Sequence, residues 1–222
     1  MLIAEDLLLL LTDDETGKVA SMAPVDTGIG GALLVDLARA GRVTFSGKPK
    51  KPVVHVVDEA PPGHPVLDEA LRRLAEKTDE KAEAAVDRIG RKASVGLYET
   101  LAARGVVRRE AGKVLGLFPT TTWPAVDSAA EREVREELHA ALVQGATPTE
   151  RAAALASLLL ALDQLGLVVE RPDRKEAKRR AKQIAEGDAV GDGVQAAVQA
   201  AQTAAILAIS VASTVTVASS GS

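Results

Sequence analysis

From Pro148 to Val169 the chain reads as a helix without a polar face. Ala152, Ala153, Ala154, Leu155, Leu158, Leu159, Leu160, Leu162, Leu165 and Leu167 fall around nearly its whole circumference, whereas a surface helix keeps a polar stripe for solvent. Such a helix has to be wrapped by others, so it serves as the central post of a core and the rest of the chain supplies the wrapping. The material for that is Leu, Ala and Val, since 46% of the 222 residues are hydrophobic but only 2% are aromatic. Leu and Ala are strong helix formers, and the β-branched and aromatic residues of sheets are confined to a few short runs. The expected fold is mainly α: one compact multi-helix domain over residues 1–222 around a buried central helix, with short strands and a projecting β-hairpin.

In chain order, Glu5 to Leu11 is a short apolar helix that Thr12-Asp13-Asp14-Glu15-Thr16-Gly17 stops, and Lys18 to Met22 is a brief strand. The acids of that turn lack the alternating ligands, central glycine and terminal glutamate of a calcium loop, which leaves a solvated turn. Asp26 or Thr27 caps a helix from about Gly28 to Ala40 that Gly41 ends. Gly28-Ile29-Gly30-Gly31 is not a dinucleotide fingerprint, because the last required glycine falls on Leu33. Close approach of two helices is the better reason for small residues there. Val43 to Phe45 and Val53 to Val57 are strands joined by Ser46-Gly47-Lys48-Pro49-Lys50-Lys51-Pro52, where Pro49 stands at the Ser or Thr position of a Walker loop.

Helices resume at Val66 to Thr78 and Glu80 to Ile89, and another follows Gly90-Arg91-Lys92-Ala93-Ser94 as far as Arg104. A charged amphipathic helix runs from Ala129 to Gln144. Between Arg171 and Lys182 seven bases stand against two acids, on a chain whose net charge is -4, so a basic helix is expected over about 174–185. An uncharged terminal helix is expected over about 194–217. Its three glutamines Gln195, Gln199 and Gln202 share one face, and Ala204 to Ala218 is short and rich in hydroxyls, which favours burial over a membrane span.

Val106 to Arg109 and Val114 to Phe118 flank Glu110-Ala111-Gly112-Lys113, and the pattern is that of a hairpin over about 106–118 with this connection at its tip. A lone two-stranded ribbon is marginal in water. Val114, Leu115, Leu117 and Phe118 give it apolar side chains on both faces. One face lies on the body, and the other needs a partner or a membrane.

No reacting constellation is visible. Cysteine is absent, which removes disulfides, thiolate metal sites and cysteine nucleophiles and fits a reducing compartment. Acids precede Leu7 to Leu11 where a signal peptide would carry bases, so a cytoplasmic protein is expected. His55, His64 and His139 lie far apart, without the paired spacing of a metal site. The carboxylates at Asp13 to Glu15 and Glu131 to Glu137 belong to a turn and a solvated helix face, and no Gly-x-Ser-x-Gly elbow occurs. The expectation is a binding protein with no catalytic residue, no metal and no cofactor, and the acidic balance argues against nucleic acid.

The order of segments is more specific than any one motif. An acidic-leucine first helix precedes a helix ending Leu37-Ala38-Arg39-Ala40-Gly41-Arg42-Val43. Next come Leu67-Asp68-Glu69-Ala70-Leu71, Leu101-Ala102-Ala103-Arg104-Gly105-Val106-Val107 and Phe118-Pro119-Thr120-Thr121-Thr122-Trp123-Pro124. Together they resemble the Golgi phosphoprotein 3 family from Leu2 to about Val217. The resemblance implies a mostly α-helical domain with a projecting hairpin matching Val106 to Phe118. It also implies peripheral membrane binding. Eukaryotic members bind phosphatidylinositol 4-phosphate, help retain glycosyltransferases in the Golgi, and use the hairpin in membrane association and self-association. Of the family's headgroup-binding tryptophan and three arginines the resemblance keeps Arg91, with Ser21 at the tryptophan position and Gly30 and Ser94 at the other arginine positions. The arginine-rich arm of the eukaryotic members has no counterpart ahead of the first helix. High Ala and Arg with few aromatics is the composition of a GC-rich bacterial genome.

The functional expectation is a cytoplasmic, peripherally membrane-associated adaptor. Arg91 and Lys92, helped by Lys48, Lys50 and Lys51, attract an anionic membrane lipid, a phosphoinositide in the family's case, while Val114, Leu115, Leu117 and Phe118 insert or self-associate. The rival is a soluble helical scaffold whose hairpin mediates oligomerisation or protein partner binding and whose basic helix is a solvated face. No motif names a protein client.

Overall fold

The computed structural model of the chain describes residues 1–20, 24–48, 51–77, 79–114 and 118–186. Among them are eight α-helices: α1 Ile3–Leu11, α2 Val25–Arg39, α3 Pro65–Ala75, α4 Ala82–Gly90, α5 Ala93–Ala103, α6 Ala129–Leu142, α7 Glu150–Ala161 and α8 Arg174–Glu186. Strands β1 Val43–Lys48, β2 Lys51–Val56 and β3 Glu80–Lys81 form one small antiparallel sheet, and β4 Glu110–Val114 with β5 Phe118–Thr122 forms a ribbon. The mainly α architecture is as expected. The uncharged helix expected over 194–217 lies outside the described residues.

The centre of the core is built from α1, α2 and α7. Every residue of α1 is buried, Glu5 and Asp6 included. Its leucines meet Ile29, Leu33, Leu34 and Leu37 of α2 and Leu155, Leu158 and Leu159 of α7. A helix so enclosed must satisfy its free N–H groups internally. Asp36 of α2 does this, its two carboxylate oxygens accepting from Ile3 N and Ala4 N at 3.0 Å each. Arg151 of α7 donates to both oxygens of Asp6, at 2.7 and 2.9 Å, and Arg104 reaches Glu5 at 2.8 and 3.0 Å. The buried acids are thus each neutralised or turned into a cap.

The small residues of α2 serve a close crossing with α4, as expected. A Cβ on Gly30 would overlap the carbonyl oxygen of Val86, and one on Gly90 would overlap that of Asp26.

The expected helix of 148–169 is shorter. It is buried from Ala152 to Leu159, as its all-round apolar pattern requires, but it stops at Ala161. Asp163 takes a left-handed backbone (φ 55), and Leu165–Leu167 is a single 3₁₀ turn. A short polar residue tolerates that conformation, and the reversal brings α8 back onto α7. Arg174 then donates to the carbonyls of Gly166 and Val169, at 3.1 and 3.4 Å.

In the small sheet β1 and β2 pair from Val43↔Val56 to Lys48↔Lys51, so most of the expected loop of 46–52 is strand. Glu80 and Lys81, expected to open a helix, instead pair with Val54 and Val53, and α4 starts at Ala82.

The hairpin exists, but about four residues further along. Its register runs from Glu110↔Thr122 to Val114↔Phe118, so the expected connection Glu110 to Lys113 is itself strand. The β-branched run Thr120-Thr121-Thr122 wins the second strand. Val106 and Val107 tie the ribbon to the body instead. Val106 N donates to Leu101 O, closing α5, its carbonyl accepts from Val126 N, and Val107 bridges to Ala125. Leu115 and Leu117 lie outside the described residues, and Val114 and Phe118 form the last described pair of the ribbon.

Candidate functional site

At the hairpin root Trp123 stacks on Tyr98 of α5, with ring centroids 5.1 Å apart and planes 3° from parallel. The Tyr98 hydroxyl donates to Thr12 Oγ1 at 2.6 Å, since the Thr12 hydroxyl itself donates to Leu8 O at 2.7 Å. Burial raises the Tyr98 pKa, which keeps that donor protonated. Trp123 N donates to Gly17 O at 2.9 Å. Gly17 has φ +61, and a Cβ there would overlap the Trp123 and Pro124 backbone, so only glycine fits. The ribbon is therefore clamped to α1 and α5 by a stacked pair, a buried hydrogen-bond chain and a glycine contact.

Beside this clamp lies a hollow of about 530 Å³ between the root and α5, bordered by Lys18, Ser94, Val95, Tyr98, Arg109 and the threonines of β5. Glu99 also borders it. Val95 is 51% exposed on its rim.

A second hollow, of about 650 Å³, lies on the other side of the start of α5. Arg72, Arg73, Arg88, Arg91 and Lys92 border it, with Glu69, Glu76 and Asp87. Several of these bases are already engaged. Arg72 and Arg73 share Glu69, whose carboxyl they hold at about 2, Arg72 also meets Glu76, and Arg88 pairs with Glu80. Arg73 further donates to the carbonyls of Arg88 and Arg91, at 3.3 and 3.2 Å. Arg91 and Lys92 themselves are exposed and pair with no acid among the described residues. Lys92 sits at φ 61, turning the chain sharply between α4 and α5. The first turn of α5 is thus a ridge, with the two expected cations on one flank and Ser94 and Val95 on the flank facing the hairpin root.

Gly30 is buried against α4 with no room for a side chain, so the family's arginine has no space at that position. Ser94 is on the rim of the hairpin-root hollow. Ser21 and Lys50 lie outside the described residues, and Lys48 and Lys51 end the β1–β2 pair and border neither hollow. The basic helix α8 packs on α6 and α7. Part of its charge is structural, since Arg180 donates to the carbonyls of Ala141 and Gly145, at 3.4 and 3.0 Å, where α6 ends.

Lys18, Arg109 and Val95 were missed from the sequence. They come together only through the hairpin root, and no local pattern marks them. Among the described residues no group of carboxylates and histidines is arranged to hold a metal ion, and no helix is long and apolar enough to cross a membrane.

The family model described as Golgi phosphoprotein 3 (GPP34) matches residues 3–201. No curated protein matches the chain. With the match running through every described element, from the enclosed α1 to α8, the chain belongs to the Golgi phosphoprotein 3 family.

Proposed function

We propose that the protein is a peripheral membrane adaptor that docks on anionic lipid headgroups with the hairpin and the start of α5 facing the bilayer. One observation carries the reading. The ridge at the start of α5 joins two exposed cations, Arg91 and Lys92, that pair with no acid among the described residues, to an exposed Val95 and a hollow rimmed by Lys18 and Arg109 at the root of the hairpin. Anionic headgroups suit the cations, and shallow insertion suits the valine and, by sequence, the leucines between β4 and β5. Family membership supports an adaptor role, with phosphoinositide headgroups as one lipid class. The clamp of Trp123 on Tyr98 ties the root of the ribbon to α5 beside these cations.

The full chain is floated with phosphatidylcholine vesicles containing increasing phosphatidylserine or phosphatidylinositol 4-phosphate. Co-flotation that rises with anionic content and falls with added salt is the expected result. Binding that ignores lipid charge would remove the reading in favour of the self-associating scaffold.

A further inference from the structure

The outer face of the β1–β2–β3 sheet carries three side chains that the adaptor reading does not use. Thr44 pairs with His55 and Ser46 with Val53, so Ser46 and His55 are diagonal neighbours on one face. Ser46 Oγ lies 2.6 Å from His55 Nε2, and His55 Nδ1 lies 2.5 Å from Asp79 Oδ1. Asp79 directly precedes β3, where the pairing of Glu80 with Val54 brings it opposite His55, and its backbone is held at φ 56. The opposite face of these strands, with Val43 and Val54, is buried in the core, so the three polar groups stand on a packed support.

The carboxylate selects the tautomer. With the imidazole proton on Nδ1 toward Asp79, Nε2 is left as the acceptor for the Ser46 hydroxyl. A hydroxyl hydrogen-bonded to a base that a third group orients is the arrangement of an activated nucleophile. We propose that Ser46 is such a nucleophile and takes the acyl group of a carboxylic ester. Its oxygen attacks the carbonyl carbon while its proton passes to Nε2. The ester C–O bond breaks, and the proton goes from Nε2 to the departing alcohol oxygen. Water then attacks the acyl-serine by the same proton route, releasing the carboxylic acid and restoring Ser46.

The unpaired edge of β1, an outer strand, offers backbone donors for the negative oxygen of the intermediate. Val57 N donates to Arg42 O, which makes residues 44, 46 and 48 the hydrogen-bonded positions of β1 and leaves the N–H of Gly47 pointing away from β2. That is the donor next in sequence to Ser46. Lys48, Lys51 and Lys81 are exposed on the same face by strand alternation, so the substrate class is an ester that carries a negative charge. The side chains of His55 and Asp79 are 31% and 71% exposed, and so open a site suits small or surface-presented esters. The inference does not depend on lipid docking.

The test treats the full chain with a fluorophosphonate probe and maps the adduct by mass spectrometry. The expected result is one adduct, on Ser46, that Ser46→Ala removes and that His55→Asn slows on the order of 10²-fold. Asp79→Asn slows it to a lesser degree, and a carboxylated aryl acetate is hydrolysed faster than its neutral counterpart. Adducts scattered over other hydroxyls, or a Ser46 rate unchanged in His55→Asn, overturn the proposal. Far-UV circular dichroism checks each variant's fold. Should one unfold, the parent decides, since a parent without a Ser46 adduct also overturns it.

Discussion

Asp36 and Glu131, acids in a core built mainly of Leu, Ala and Val, are buried at 3% and 5% exposure. Asp36 is pushed up from 3.8 to about 7, chiefly by burial, although it accepts two backbone N–H groups. Glu131 is pushed from 4.5 to about 7, first by burial and then by the neighbouring Asp14 carboxyl. A raised carboxyl binds its proton more tightly in the native state than in the unfolded one, so its contribution is full below pH 4 and is lost as pH rises through 7. The melting temperature is therefore expected to be lower at pH 8 than at pH 5, and Asp36→Asn combined with Glu131→Gln should flatten the difference. A profile that rises from pH 5 to pH 8 would contradict the assignment. Gly90→Ala and Gly30→Ala should each destabilise by about 1–3 kcal/mol in urea unfolding, because the added methyl forces α2 from α4. The α2 glycines were legible as helix contacts, since they failed the nucleotide pattern. The burial of Glu5 and Asp6 was not, because their partners Arg104 and Arg151 stand 99 and 145 residues away in sequence.

The elements were legible in kind and less so in extent. Helix spacing located α3, α5, α6 and α8 to within a few residues, because each has one apolar face and a cap or stop. The hairpin slipped by four residues because two valine-containing runs compete for its first strand, and only tertiary hydrogen bonds from Val106 to the body decide between them. The end of α7 was hidden because Leu162 and Leu165 keep the apolar pattern going through a non-helical turn. What the hairpin gains from its root is measurable. Trp123→Ala should destabilise by about 3–5 kcal/mol and speed amide exchange in β4 and β5 beyond that in α7, since it removes a buried ring stacked on Tyr98. Equal exchange in both elements would mean that the ribbon is held elsewhere. At the start of α5, Arg91→Ala with Lys92→Ala should weaken partitioning onto anionic vesicles about thirtyfold, at about 1 kcal/mol per base. An unchanged partition coefficient would take these two residues out of the site.

For the molecule as a whole, fold class followed from composition, since Leu and Ala with few aromatics leave little besides packed helices. The candidate site was legible only in its outermost parts, Arg91, Lys92 and the hairpin. Its remaining members are single residues from four separate segments, and their convergence is a product of the fold. Charge is uneven on this scale too, with seven bases between Arg171 and Lys182 on a chain of net charge -4. Two of those bases are engaged by the fold, Arg180 at carbonyls where α6 ends and Arg174 at carbonyls after α7, while Arg171, Lys175 and Lys182 stay exposed. Docking on that reading depends on orientation, with the hairpin tip toward the bilayer. The absence of cysteine makes this directly measurable, because Leu117→Cys places one environment-sensitive fluorophore between β4 and β5 in the sequence. A blue-shifted, brighter emission on adding phosphatidylserine vesicles, reversed by salt, is the expected result. An emission unchanged by vesicles that the chain floats with, or one that shifts with protein concentration alone, would contradict it.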